Sequence, residues 1–82
     1  MRVVTLYVRP GCHLCDEARA TIEAMRSKAP PFEVREIDIE GDEALHTRYL
    51  ERIPVVEVDG EIVSELVLEP NRLLASLDTV RR

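Results

Sequence analysis

The chain has 82 residues and a formal net charge of −5, from sixteen acidic against eleven basic side chains. A domain of this length hides roughly 60–65% of its unfolded surface, so one modest core over residues 1–82 is expected. The acidic balance argues against nucleic acid as a partner, because phosphate binding needs a basic footprint. No stretch approaches the ~18 consecutive apolar residues of a membrane span, so no membrane partner is expected either.

The first element is Val3-Val4-Thr5-Leu6-Tyr7-Val8, nearly continuous in apolar and β-branched residues. That composition suits a central strand covered on both faces. An export signal needs a longer apolar core and a small-residue cleavage site, so the expected compartment is the cytosol. Arg9-Pro10-Gly11 breaks the strand: Pro10 holds Arg9 extended, and Gly11 permits a tight turn. From Cys12 to about Ala29 the spacing predicts a helix, with Cys15, Ala18, Ile22 and Met25 on one stripe and Leu14 and Thr21 beside it. Pro30-Pro31 ends it.

Phe32 to Ile39 reads as a second strand whose alternation slips between Val34 and Ile37, the pattern of a bulge or an edge. Gly41 to Leu50 reads as a short helix, with His46 on its surface. Val55 to Val58 and Glu61 to Ser64 flank Asp59-Gly60, a strong hairpin signal because both turn residues need positive φ. A last helix begins near Glu69-Pro70, with Leu73, Leu74, Leu77 and Val80 as its apolar stripe and Arg81-Arg82 as a solvated tail. The order β-α-β-α-β-β-α makes an α/β fold. A βαβ unit gives two parallel strands and the hairpin adds two antiparallel ones, so the sheet is mixed and four-stranded, with helices on both faces.

Cys12-His13-Leu14-Cys15 holds the two cysteines of the chain, where the first strand gives way to the first helix. Two cysteines three apart at a helix start are close enough to form a disulfide or to share a metal. In a reducing compartment such a pair is read as catalytic or metal-binding rather than as a structural staple. The positive end of a helix favours a thiolate, so Cys12 is the candidate nucleophile. Cys15 lies one turn inside on the apolar stripe, which suits a resolving thiol that attacks a mixed disulfide on Cys12. Arg9 adds nearby positive charge, whereas Asp16, one turn below Cys12, opposes it. His13 is a candidate for assisting proton transfer or stabilising the thiolate, against the plainer reading of a solvated first-turn residue.

The Cys-x-x-Cys after the first strand, Ile53-Pro54 before the hairpin and the order of elements resemble the thioredoxin superfamily, and within it the glutaredoxin-like proteins. Tyr7 to Cys15 resembles a glutaredoxin active-site segment, with Arg9 at the basic position three before the first cysteine. Ile53-Pro54 matches the superfamily's cis-proline. The resemblance implies a thioredoxin-like fold and thiol–disulfide exchange by a Cys12–Cys15 dithiol, in a monomer. It also implies a substrate groove drawn from Arg9, Ile53 and Pro54, in which the backbone N–H and C=O of Ile53 pair with an extended substrate. Tyr49 and Arg52 lie near enough in sequence to line that groove.

The chain departs from the glutaredoxin pattern in places. His13 and Leu14 stand where proline and tyrosine are usual, Ser64-Glu65 stand at the glutathione-holding Gly-Gly pair, and Val67-Leu68 stand at the acidic positions. Glutathione is therefore a possible co-substrate with part of its site replaced, and no tightly bound cofactor or metal is expected. The implied partners are a protein disulfide or a glutathione mixed disulfide, with a reductase system to restore the dithiol. Two other classes stay open at this point. One is a metal or iron–sulfur module, which would need ligands from a second chain. The other is an interaction domain with idle thiols.

Overall fold

A computed structural model describes residues 1–78. Its strands are β1 (Arg2–Val8), β2 (Phe32–Asp38), β3 (Val55–Val58) and β4 (Glu61–Glu65); its α-helices are α1 (His13–Met25), α2 (Glu43–Tyr49) and α3 (Pro70–Asp78). The four strands lie in the order β2-β1-β3-β4. β1 pairs parallel with β2 and antiparallel with β3, and β3 pairs antiparallel with β4. The mixed α/β sheet is the one the pattern predicted.

Side-chain contacts assign the helices to faces. Leu6 pairs with Glu36 across the parallel ladder, and Glu36 holds Arg19 of α1. Arg2, on the same face of β1, donates through Nε to the Leu77 carbonyl of α3. The even-numbered residues of β1 therefore face α1 and α3, and Val4, Leu6 and Val8 are buried there with Ala18, Ile22 and Leu73. Tyr7, on the odd-numbered face, stacks with Tyr49 of α2 at 4.8 Å between ring centroids. Burying side chains such as Leu6, Ile22 and Leu73 is worth about 2 kcal/mol each, so this two-sided core outweighs the local propensities of its short elements.

The boundaries move for identifiable reasons. The first helix starts at His13, with Cys12 as its N-cap, and ends at Met25 instead of Ala29. Its apolar stripe stops at Met25, whose carbonyl takes the N–H groups of Lys28 and Ala29, both at 3.0 Å. Arg26 turns back to Glu23 and to the Phe32 carbonyl, with its guanidinium 5.0 Å from the Phe32 ring. The expected helix from Gly41 is split. Ile39–Gly41 forms a 3-10 turn capped by Asp38, and α2 begins after Asp42, whose carboxylate accepts the Leu45 N–H at 3.1 Å. Aspartate is a far better N-cap than an interior glycine is a helix former.

The slipped alternation in β2 marks an edge strand, one of the two forms expected of it. The register shift falls elsewhere: it lies between Val56 and Glu57, where Val56 pairs with Ser64 but Glu57 pairs with Ile62, so Val63 is the extra residue. The turn residues Asp59 and Gly60 have φ of 52° and 89°, both left-handed as the hairpin reading requires. Leu73 and Leu77 carry the buried stripe of α3. Val80 and the Arg81-Arg82 tail lie outside the described residues.

Candidate functional site

β1 delivers the chain to the site. Gly11, at φ 75°, reverses it after Arg9-Pro10, and Cys12 becomes the N-cap of α1 with extended backbone angles. A helix start leaves its first N–H groups without intrahelical partners. Here the Cys12 sulfur accepts one of them, from Cys15 at 3.1 Å, and the Cys12 carbonyl accepts the Asp16 N–H at 3.2 Å. Cys12 and Cys15 are joined by a disulfide, their Cα atoms 5.1 Å apart. The two sulfurs differ in access: Cys12 is half-buried, whereas Cys15 sits in the core at 1% exposure.

The second wall comes from the loop before β3. The peptide bond Ile53-Pro54 is cis. Because Val55 pairs with Tyr7, Pro54 lies at the end of the sheet where β1 runs toward the cysteine turn. The Leu66 N–H fastens this loop by donating to both the Arg52 carbonyl at 3.0 Å and the Pro54 carbonyl at 3.1 Å. One expectation is corrected. The Ile53 N–H is not offered to a substrate strand but donates to the Tyr49 carbonyl at 3.0 Å, because the end of α2 runs directly into the loop. Tyr49 is a core residue and does not line the groove.

Each cationic residue proposed for the site has a carboxylate partner. Arg9 pairs with Glu40 at 3.1 Å, and Arg52 pairs with Glu65 at 3.7 Å. His13 Nε2 lies 3.2 Å from Glu17, with 88% of its side chain exposed, as the plainer reading expected. Asp16 is neutralised by Arg19 at 2.7 Å, and Arg19 also makes a two-pronged contact with Glu36. The hydrogen bond to Glu36, and then that to Asp16, hold the Arg19 guanidinium firmly in its charged form. On the opposite face, Glu57 accepts the hydroxyls of Tyr7 at 3.2 Å and Tyr49 at 3.5 Å. Burial, and then the Glu57 charge, push the Tyr7 phenol above its ordinary value. Among the described residues, no group of three or more His, Cys, Asp or Glu side chains gathers to hold a metal ion. No helix of these residues is long and apolar enough to cross a membrane.

Ser64, which the resemblance puts at a glutathione-holding position, is buried and its hydroxyl donates to the Val67 carbonyl at 2.9 Å. Val67 is exposed and Leu68 is buried. Leu14, Leu66 and Val67 line one shallow groove along α1 that the sequence pattern did not single out. Its one signal was the unpatterned run Leu66-Val67-Leu68, and the left-handed Leu66, at φ 66°, could not be anticipated from a leucine.

A thioredoxin-like α/β sheet with a disulfide at the start of its first helix defines a redox-type domain of the thioredoxin superfamily. Its relatives place it more closely. The chain belongs to the glutaredoxin-like domain (DUF836) family, whose model matches residues 3–78. It is 29% identical over 84 residues to the glutaredoxin-like protein YDR286C homolog of Dictyostelium discoideum, covering 96% of this chain and 78% of that one. Among solved structures it resembles protein Ne2328 of Nitrosomonas europaea, with 32% identity, a TM-score of 0.82, and 94% and 92% of the two chains covered. It also resembles target protein XcR50 of X. campestris, with 33% identity, a TM-score of 0.73, and 95% and 99% covered.

Proposed function

We propose that the chain is a dithiol–disulfide oxidoreductase in which Cys12 exchanges with substrate and Cys15 resolves. The observation that carries this reading is the unequal access of two bonded sulfurs. The half-exposed one caps a helix, and its partner is 1% exposed in the core. In the reducing direction the Cys12 thiolate attacks one substrate sulfur. A mixed disulfide forms, and the other substrate sulfur leaves and takes up a proton. Cys15 then loses its proton and attacks the Cys12 sulfur, which releases the second substrate thiol. Two electrons have passed to the substrate, and the protein is left in the disulfide form described above. A dithiol donor, such as a reductase, returns it.

The Cys15 N–H beside the Cys12 sulfur stabilises charge there in both halves of the cycle, when Cys12 attacks and when it leaves. The Ile53 carbonyl, beside the cis-proline, supplies one backbone contact to an extended substrate. Arg9 and Arg52 act on substrate charge through ion pairs that must open first, which makes them positioning residues.

The test is a single turnover of the reduced protein with hydroxyethyl disulfide, read by mass spectrometry. Wild type should end as the internal disulfide, Cys12→Ser should not react, and Cys15→Ser should stop as an adduct on Cys12. Reaction of Cys12→Ser with loss of reaction in Cys15→Ser would reverse the two roles. An unreactive wild type would remove the oxidoreductase reading.

A further inference from the structure

Glu57 is the one charged side chain in the run Val55-Val56-Glu57-Val58, on an inner strand whose valines are all buried. A fourth valine would suit the strand and leave no carboxylate to desolvate. The register puts Glu57 opposite Thr5 and Val55 opposite Tyr7, so Glu57 and Tyr7 share the face that α2 covers. The two carboxylate oxygens accept the hydroxyls of both tyrosines of the chain, Tyr7 at 3.2 Å on Oε1 and Tyr49 at 3.5 Å on Oε2. The second contact is long, so the Tyr49 ring is held as much by stacking on Tyr7, 4.8 Å away, as by the carboxylate. Arg48 adds a positive charge beside the cluster, its guanidinium 5.8 Å from the Tyr49 ring centroid.

Each tyrosine leads to a wall of the site. Tyr7 lies in β1, five residues before Cys12, and pairs with Val55, the residue after Pro54. Tyr49 ends α2, and its carbonyl accepts the N–H groups of Arg52 at 2.8 Å and Ile53 at 3.0 Å, the two residues before the cis-proline. From the other side the Leu66 N–H ties the Arg52 and Pro54 carbonyls. The loop is thus held from two sides, and the Tyr49 hold reaches β1 through Tyr7 and Glu57. Apolar packing would bury the same rings without fixing their direction, whereas a carboxylate shared by two phenols fixes it.

Resting on the exchange activity proposed above, we infer that Glu57 is a positioning residue for the reaction. Through Tyr7 and Tyr49 it sets the cis-proline loop against the strand that leads to Cys12. A polypeptide disulfide has to lie along that loop while its sulfur meets Cys12, so a loosened loop slows it. A small disulfide reaches Cys12 without the loop and is slowed less.

The experiment uses the full chain and three variants. Glu57→Val removes the carboxylate at a position where valine suits the strand. Tyr7→Phe/Tyr49→Phe/Glu57→Val also removes both hydroxyls, so none is left unpaired and the core stays filled. Glu57→Gln keeps an acceptor for Tyr7. Amide hydrogen exchange compares Arg52 and Ile53 with Leu6 in the core of the sheet. Single-turnover rates of the reduced protein compare a cyclic disulfide peptide with hydroxyethyl disulfide. In Glu57→Val and in the triple variant, Arg52 and Ile53 should exchange about fivefold faster relative to Leu6. The ratio of the peptide rate to the hydroxyethyl disulfide rate should also fall about fivefold, the scale of one lost hydrogen bond. Glu57→Gln should keep both readouts within about twofold of wild type.

Equal acceleration at Arg52, Ile53 and Leu6 would make Glu57 a residue of general stability and overturn the inference. So would a loosened loop with an unchanged rate ratio, or an unchanged loop in both apolar variants. In each of these cases the exchange activity itself stands. A wild type that fails to reduce even hydroxyethyl disulfide would remove that activity, and this inference with it.

Discussion

Asp59 closes the β3–β4 turn and ties it to the start of β1, and its removal should be costly for a surface residue. Its Oδ1 accepts the Val3 N–H at 2.9 Å, and its Oδ2 pairs with Arg2 Nη1 at 2.8 Å. Its own N–H donates to the Val3 carbonyl at 2.8 Å, and its φ is 52°. Asp59→Ala loses the carboxylate's hydrogen bond to Val3, worth about 1 kcal/mol. It loses an ion pair that is partly exposed and so is worth about 0.5–1 kcal/mol. It also puts a side chain with no local acceptor in the left-handed region, for about 1 kcal/mol more. The sum is about 2–3 kcal/mol, which lowers Tm by more than ~10 °C in a domain of this size. Asp59→Asn keeps the Val3 acceptor and tolerates the backbone, so it should lose about 0.5–1 kcal/mol. Asp59→Gly relieves the backbone but loses both contacts, so it should fall between them at about 1–2 kcal/mol. The assay is urea unfolding followed by circular dichroism, with the Cys12–Cys15 disulfide intact. If Asp59→Ala were no less stable than Asp59→Asn, the reasoning from turn geometry and the Val3 contact would be refuted.

Tyr7 should make the fold sensitive to alkali. Its phenol is raised above the ordinary value of 10.0 by burial and by Glu57. Its contribution is thus complete below pH 10 and is lost as pH climbs through the higher folded value. Tyr7→Phe should flatten that alkaline decline, and tyrosinate absorbance should show Tyr7 ionising above the free phenol; a normal titration would contradict the burial argument. Gly60→Ala meets no atom within 4 Å of its new Cβ, so its cost is that of φ 89° alone. A loss of about 1–2 kcal/mol is expected in the same urea assay, and a neutral result would remove the left-handed turn. Leu73→Ala, at a fully buried position of α3, should cost about 2–5 kcal/mol, with faster amide exchange in α3 as the accompanying readout. A loss under about 1 kcal/mol would mean that α3 is not part of the main core.

Much of this architecture could be read from residue types because local signals agreed with the tertiary result. β-branched density put β1 at the centre, Asp59-Gly60 placed the hairpin, and the Cys15, Ala18, Ile22 and Met25 spacing chose the buried face of α1. The place of the cysteines at the helix start was legible for the same reason. What escaped was information carried by the chain path. The capture of the Ile53 N–H depends on how α2 ends against the cis-proline loop. Leu66 belongs to a residue type that almost never announces positive φ. The edge character of β2 was visible as broken alternation. The bulge in the hairpin was not, since Val63 differs in no chemical respect from a regular strand residue.

That extra residue makes the number of amino acids in β4 a matter of parity. Ile62 pairs with Glu57 on the α2 side of the sheet, whereas Ser64 pairs with Val56 on the side of α1 and α3, although an ideal strand turns residues two apart the same way. Deleting Val63 alone would leave Ile62 opposite Glu57 and Ser64 opposite Val56, so the bulge would become a regular ladder and the rest of the strand would keep its sides. Deleting Val63 together with one regular neighbour would instead slide the ladder by one residue and exchange inside for outside along the remainder of the strand. The Val63 position is thus the place in the strand that can lose a residue while Leu66 and Val67 stay beside Leu14.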